Sequence, residues 1–222
     1  MDFEKGEVLL IDKPLGWTSF QALKKLRYQL KIKKIGHAGT LDPLATGLLI
    51  LCTGKKTKEI DSYQAQEKEY TGTFVLGKTT PSIDLETDFD AEYDITHLHA
   101  ENISSIIPQF VGEIDQTPPI FSAIKQDGKR LYELARKGQD TEIKSRKILI
   151  SELEFTDISR FPEVDFRVVC SKGTYIRSLA RDIGVALGAG AYLKALCRTR
   201  IGEFKLEDAW QIQDLIDQVK SV

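Results

Sequence analysis

Apolar and polar positions along this chain recur in short runs whose period switches between two and about 3.6, as in a protein that mixes strands with helices. Val8-Leu9-Leu10-Ile11 reads as a buried strand, stopped by the turn-rich Asp12-Lys13-Pro14-Leu15-Gly16. Thr18 predicts a helix start, because Gln21 three residues on completes a capping box, and Leu23, Leu26 and Leu30 form the apolar face. Leu48-Leu49-Ile50-Leu51-Cys52 is apolar without a break, which predicts a strand covered on both faces. Tyr70, Gly72 and Phe74 share one face of a further strand, whereas residues 78–102 are acidic, show little periodicity and read as loop. Ile103 to Phe110 predicts one or two helical turns, and Pro118-Pro119 closes that region. Ile148, Ile150, Leu153 and Phe155 belong to strand-like segments, and Val164, Phe166, Val168 and Cys170 alternate cleanly as a strand. A Gly173 turn then leads into a helix burying Ile176, Leu179, Ala180 and Ile183, and the chain ends in a helix with Ala209, Ile212, Ile216 and Val219 inward.

The 222 residues suffice for one sizeable core, or for one domain with a small appendage. No run of 18 apolar residues is present, and the short acidic N-terminus is unlike a signal or transit peptide, so a cytoplasmic location is the default expectation. Cys52, Cys170 and Cys197 are odd in number and lack CxxC spacing, which favours inert thiols over disulfides or zinc. His97 and His99 form an HxH pair without a third ligand, so no metal site is expected. A net charge of −2 conceals segregation: residues 1–60 carry +5, residues 61–119 carry −10, residues 120–181 carry +4 and residues 182–222 carry −1. A basic face for a polyanion is compatible with that distribution, and so is ordinary surface variation.

Candidate chemistry concentrates in Gly36-His37-Ala38-Gly39-Thr40-Leu41-Asp42-Pro43-Leu44-Ala45-Thr46-Gly47, where glycines and a proline frame a single carboxylate, Asp42. From the turn alone, Asp42 is either a presented acid or an Asx-turn residue capping its own backbone before Pro43. Lys24, Lys25, Arg27, Lys31, Lys33 and Lys34 lead into it, either as a solvated helix face or as a surface for phosphates. Between Ile120 and Ile143 lies an insert with a Gly128 turn, a short helix Arg130–Lys137 and an excess of cations, among them Lys125; its size suggests a flap that closes on a ligand. Lys172, Tyr175, Arg177 and Arg181 surround the start of a helix, an arrangement that recurs where anions are handled, although a solvated helix face accounts equally for the arginines.

Five motifs in one order carry a resemblance. They are Asp12-Lys13-Pro14-Leu15-Gly16-Trp17-Thr18-Ser19, Gly36 to Gly47, Lys68-Glu69-Tyr70, Pro118-Pro119-Ile120-Phe121-Ser122-Ala123-Ile124-Lys125, and Cys170-Ser171-Lys172-Gly173-Thr174-Tyr175-Ile176-Arg177. Together they closely resemble the TruB family of bacterial tRNA pseudouridine-55 synthases, from about Val8 to the final helix. The resemblance implies an α+β pseudouridine synthase fold: a mixed, largely antiparallel sheet flanked by helices, with residues 120–143 as a thumb insertion in one catalytic domain spanning 1–222. It implies isomerisation of uridine 55 in the T loop of tRNA, with no metal or organic cofactor, no membrane and no obligate protein partner.

By the same likeness Asp42 is the nucleophile or the base that begins glycosidic cleavage, and Arg177 is the cation that keeps it ionised, with Tyr175 nearby. Tyr70 stacks on the flipped uracil and is a candidate to take its C5 proton. His37 enters the space the base leaves, and Leu196 packs beneath the base. Lys125 and Lys172 meet phosphates, and Lys13 with Pro14 shapes the neighbouring loop. Bacterial relatives commonly carry a C-terminal RNA-binding (PUA) domain; residues 206–222 offer a single helix, so a minimal form without that domain is expected. The competing reading is a tRNA-binding or tRNA-folding protein with secondary or no isomerase activity, which would have no need of Asp42 with Arg177.

Overall fold

The computed structural model describes residues 1–122 and 143–221, with the strand backbones at Lys125–Gln126 and Lys129–Arg130 between them. In chain order the elements are β1 (Val8–Lys13), α1 (Ser19–Gln29), β2 (Ile35–Ala38), β3 (Ala45–Thr53), α2 (Ile60–Ala65), β4 (Lys68–Leu76), β5 (Lys78–Thr79), β6 (Ala91–Glu92), α3 (Ala100–Ser105), β7 (Gly112–Gln116), β8 (Lys125–Gln126), β9 (Lys129–Arg130), β10 (Arg146–Asp157), β11 (Glu163–Cys170), α4 (Ile176–Ala186), β12 (Ala191–Ile201), β13 (Phe204–Lys205), β14 (Trp210–Gln211) and α5 (Ile212–Lys220). They group into two units, Met1–Thr71 with Ala195–Val222, and Gly72–Lys194, and both β4 and β12 run from one unit into the other.

In the first unit the unbroken apolar run of β3 has a direct cause. Leu49 and Leu51 point into a core with Leu9, Ile11, Ala22, Leu23, Leu26, Ile212, Leu215 and Ile216, so α1 and α5 cover the face that β3 shares with β1. Leu48, Ile50 and Cys52 point the other way, toward Ala38 and Ile201, with Ile60, Tyr63 and Phe204 packed against them. Pairing around β3 is mixed. Strands β1 and β2 run antiparallel to it, β12 runs parallel to it at Leu196↔Ala45 through Arg198↔Gly47, and β14 runs parallel to β1. Helix α1 begins as the sequence implies: the Thr18 hydroxyl accepts from the Gln21 N–H (3.1 Å) and the Gln21 side chain accepts from the Thr18 N–H (2.7 Å).

In the second unit the strand order is β4-β11-β10-β7, with β10 antiparallel to both β11 and β7. Phe74 contacts the rings of Phe155 and Phe166, and α4 lays Ile176, Leu179, Ala180 and Ile183 around the same apolar gap. The sheets and flanking helices make an α+β fold with mixed, largely antiparallel pairing.

Several elements escaped the sequence pattern. The segment expected as loop holds the β5–β6 pair and the first turn of α3, and no apolar pattern announced α2. The last helix begins at Ile212, leaving Ala209 outside it but still packed on the Ile201 core. Strands β8 and β9 pair across the proposed Gly128 turn, while the helix expected at Arg130–Lys137 lies outside the described residues.

Candidate active site

The Asp42 turn is held by short local ties. The Ser19 hydroxyl accepts from the Leu41 N–H (2.9 Å) and donates to the Leu41 carbonyl (3.3 Å). Gly16 N–H donates to Pro43 O (2.9 Å), and Ala45 N–H donates to Asp42 O (3.0 Å). The start of α1 and the turn after β1 thus fix both neighbours of Asp42, whose own side chain is half-buried.

Beneath the turn three strands place Lys13 of β1, Gly47 of β3 and Arg198 of β12 side by side. Lys13 is fully buried, and its ammonium donates to the carbonyls of Trp17 (2.5 Å), Pro14 (3.0 Å) and Pro43 (3.5 Å). Its pKa falls from 10.5 to about 8, chiefly by desolvation and further by Arg198, against the opposing pull of Asp42 and Asp12. Arg198 is 1% exposed; its Nε donates to Leu48 O (2.8 Å) and one terminal nitrogen to Gly39 O (3.5 Å).

His37 lies half-buried on β2 with its Nδ1 buried and unbonded. Burial lowers its pKa, Arg198 adds to the effect, and a hydrogen bond with the Gly39 backbone opposes it, so the ring is neutral near pH 7. Leu196 pairs with Ala45, and its carbonyl accepts from the Thr46 hydroxyl (3.3 Å). Tyr70 is buried on β4, where the adjacent Glu69 accepts from the Thr199 hydroxyl (2.7 Å) of β12. The first unit therefore holds Lys13, His37, Tyr70 and Leu196 on strands and Asp42 on the turn that leads into β3.

The second unit sets the other group. Tyr175 caps α4, and buried Gln116 grips its backbone twice, accepting from the Tyr175 N–H (2.8 Å) and donating to the Tyr175 carbonyl (3.1 Å). The Arg146 guanidinium lies 4.8 Å from the Tyr175 ring centre. Arg177 is 4% exposed, not on a solvated helix face. It donates to the carbonyls of Phe121 (2.9 Å) and Ser82 (3.0 Å), with Nε 3.6 Å from the Asp84 carboxylate. Ile83, between those two loop residues, has φ +64°, a left-handed conformation unusual for a β-branched residue and the kind of local strain found at functional loops. Lys172 is exposed on the turn before α4. The side chain of Lys125 lies outside the described residues, as does most of the expected thumb.

Arg198, Asp84, Ser19 and Gln116 were not singled out from the sequence. Arg198 stands two residues after Leu196, hence on the same side of a strand, which is a readable signal once β12 is recognised. Asp84 sits in an aperiodic segment and gave none. Among the described residues no group of three or more His, Cys, Asp or Glu side chains could hold a metal.

A model of the TruB family pseudouridylate synthase N-terminal domain matches residues 27–176, and one of the tRNA pseudouridylate synthase B C-terminal domain matches residues 177–221. The chain is 58% identical to the tRNA pseudouridine synthase B of Flavobacterium johnsoniae, over 95% of each sequence. To that of Chlorobaculum tepidum it is 45% identical, over 97% of this chain and 92% of the relative. Among solved structures, a chain of a Cbf5-Nop10-Gar1 complex superposes with TM-score 0.76 and 32% identity, covering 97% of this chain and 54% of that one. A chain of an H/ACA RNP bound to a substrate RNA containing 2′-deoxyuridine gives TM-score 0.72 and 29% identity, covering 97% and 53%. This chain thus spans about half the length of those solved chains. With the Asp42 motif on its fixed turn and relatives matching nearly end to end, the chain belongs to the TruB family of pseudouridylate synthases.

Proposed function

We infer that this chain is a tRNA pseudouridine synthase that isomerises uridine 55 in the T loop. The observation that carries the reading is Asp42, the one carboxylate of the Gly36–Gly47 motif, on a turn fixed by its neighbours' backbone bonds. The reaction breaks the bond between C1′ and N1 of uracil and makes one between C1′ and C5. C5 gives up a proton and N1 gains one, so atoms balance without an outside donor.

A base inside a folded loop must first be flipped out, at a cost of roughly a few kcal/mol. His37, neutral and with an unbonded ring nitrogen, is suited to enter the vacated space. Tyr70 offers an aromatic face to the flipped base, a contact worth roughly 1–3 kcal/mol, and Leu196 packs beneath it. Asp42 then acts on the glycosidic bond as nucleophile or base. By family likeness Tyr175 and Arg177 belong to the same catalytic set. Lys125, Lys172 and the insert of residues 120–143 meet the phosphates of the T arm. The reaction takes place in the cytoplasm, where tRNA is matured.

The test is to incubate the purified protein with an unmodified tRNA transcript and map pseudouridine along it. Conversion at position 55 and nowhere else is the expected result. A transcript left unchanged, or modified at another uridine, would overturn the assignment.

A further inference from the structure

Two glycines bracket Asp42 in the sequence, and both meet the same residue. Gly39 has φ +86°, and a Cβ built there would lie 3.7 Å from the Arg198 guanidinium. Gly47 has φ +97°, and a Cβ there would lie 2.4 Å from the Arg198 carbonyl oxygen and 2.8 Å from its nitrogen, closer than atoms can approach. The guanidinium of the same residue spans the carbonyls of Leu48 and Gly39.

We propose that Arg198 is the positioning residue of the catalytic turn, its side chain joining the Gly39 carbonyl before Asp42 to the Leu48 carbonyl after it while its backbone seats on Gly47. The proposal rests on Asp42 being the reactive carboxylate. A guanidinium buried this completely gives up its hydration, so its retention calls for a use. Its fork can hold two carbonyls at fixed separation, which a lysine ammonium on a flexible stem cannot reproduce. The turn has no regular hydrogen-bond ladder between Gly39 and Ala45, so a tie at its two ends limits how far Asp42 can shift. Displacement of a reacting group by about 1 Å can cost 10²-fold in rate. Its charge also acts on the neighbouring cation and ring, lowering the pKa of Lys13 and of His37.

Arg198→Lys and Arg198→Gln separate the geometric effect from the charge. Each variant, as the full chain, is compared with wild type for thermal unfolding, affinity for an unmodified tRNA transcript, single-turnover pseudouridine formation, and titration of His37 by NMR. Both should bind tRNA within about twofold of wild type and lose about a hundredfold in single-turnover rate. His37 should titrate at higher pH in Arg198→Gln, where only burial still opposes its charge and the Gly39 bond favours it, and stay low in Arg198→Lys. Wild-type turnover by either folded variant would overturn the proposal, as would a rate loss no greater than the loss of folded protein. Should Arg198→Gln not fold, the rate of Arg198→Lys decides. Failure of wild type itself to form pseudouridine would instead refute the reading of the site.

Discussion

Lys13, Gly47 and Arg198 show how closely single residues are fitted under Asp42. Replacing Gly47 with alanine would drive a methyl group into the Arg198 backbone at a left-handed φ, so Gly47→Ala should destabilise the protein by more than about 2 kcal/mol. Thermal unfolding should show this as a fall of roughly 5–10 °C for a chain of this size. An unchanged transition would mean that β3 and β12 do not meet in this register. Lys13 makes a prediction with two opposite signs. Its native pKa of about 8 is below the ordinary 10.5, so between those values the unfolded chain binds the extra proton and this group adds stability as pH rises. Over the same window the folded protein loses the charge that ties Pro14, Trp17 and Pro43, so the single-turnover rate should fall above about pH 8. Parallel pH series of unfolding and turnover check both signs; a rate that stays flat to pH 10 would exclude a role for the ammonium.

At the level of elements, legibility followed the physics of burial. Strand β3 was readable because both faces are covered and every position from Leu48 to Cys52 is apolar, and α1 because Thr18 and Gln21 cap each other. Thr18→Ala should cost about 1 kcal/mol, seen as a lower unfolding temperature with activity retained. Strand β12 was not readable, because Lys194, Arg198, Thr199 and Arg200 interrupt its pattern. Those side chains are satisfied by tertiary partners, Glu163, Leu48 and Gly39 carbonyls, Glu69, and Glu67 respectively. Local periodicity carries no trace of such partners. Strand β7 was missed for a similar reason: Gly112, Glu113 and Asp115 leave no apolar alternation, and the strand is held by backbone pairing with β10. The Asp84 loop, which holds Arg177, depends on carbonyls and on the strained Ile83, neither of which leaves a signature in composition.

For the whole molecule, the residues proposed for chemistry were found through five motifs taken together, since each alone had a structural explanation. The turn at Asp42 would pass for an Asx turn, and Arg177 for a surface charge. Structure adds what binds them locally: Ser19 and Arg198 for one, Asp84 and Gln116 for the other group. The excess of cations in residues 1–60 and 120–181 predicts that tRNA binding weakens steeply with salt, log Kd rising linearly with log salt concentration, whereas a salt-independent Kd would remove phosphate contacts from the account. The assignment itself is tested most directly by Asp42→Asn, which keeps the shape of the side chain and removes its charge. With unmodified tRNA under single-turnover conditions, the variant should bind within a few-fold of wild type and form no pseudouridine at position 55. Pseudouridine formed by Asp42→Asn at a rate near that of wild type would contradict the assignment of the reactive carboxylate.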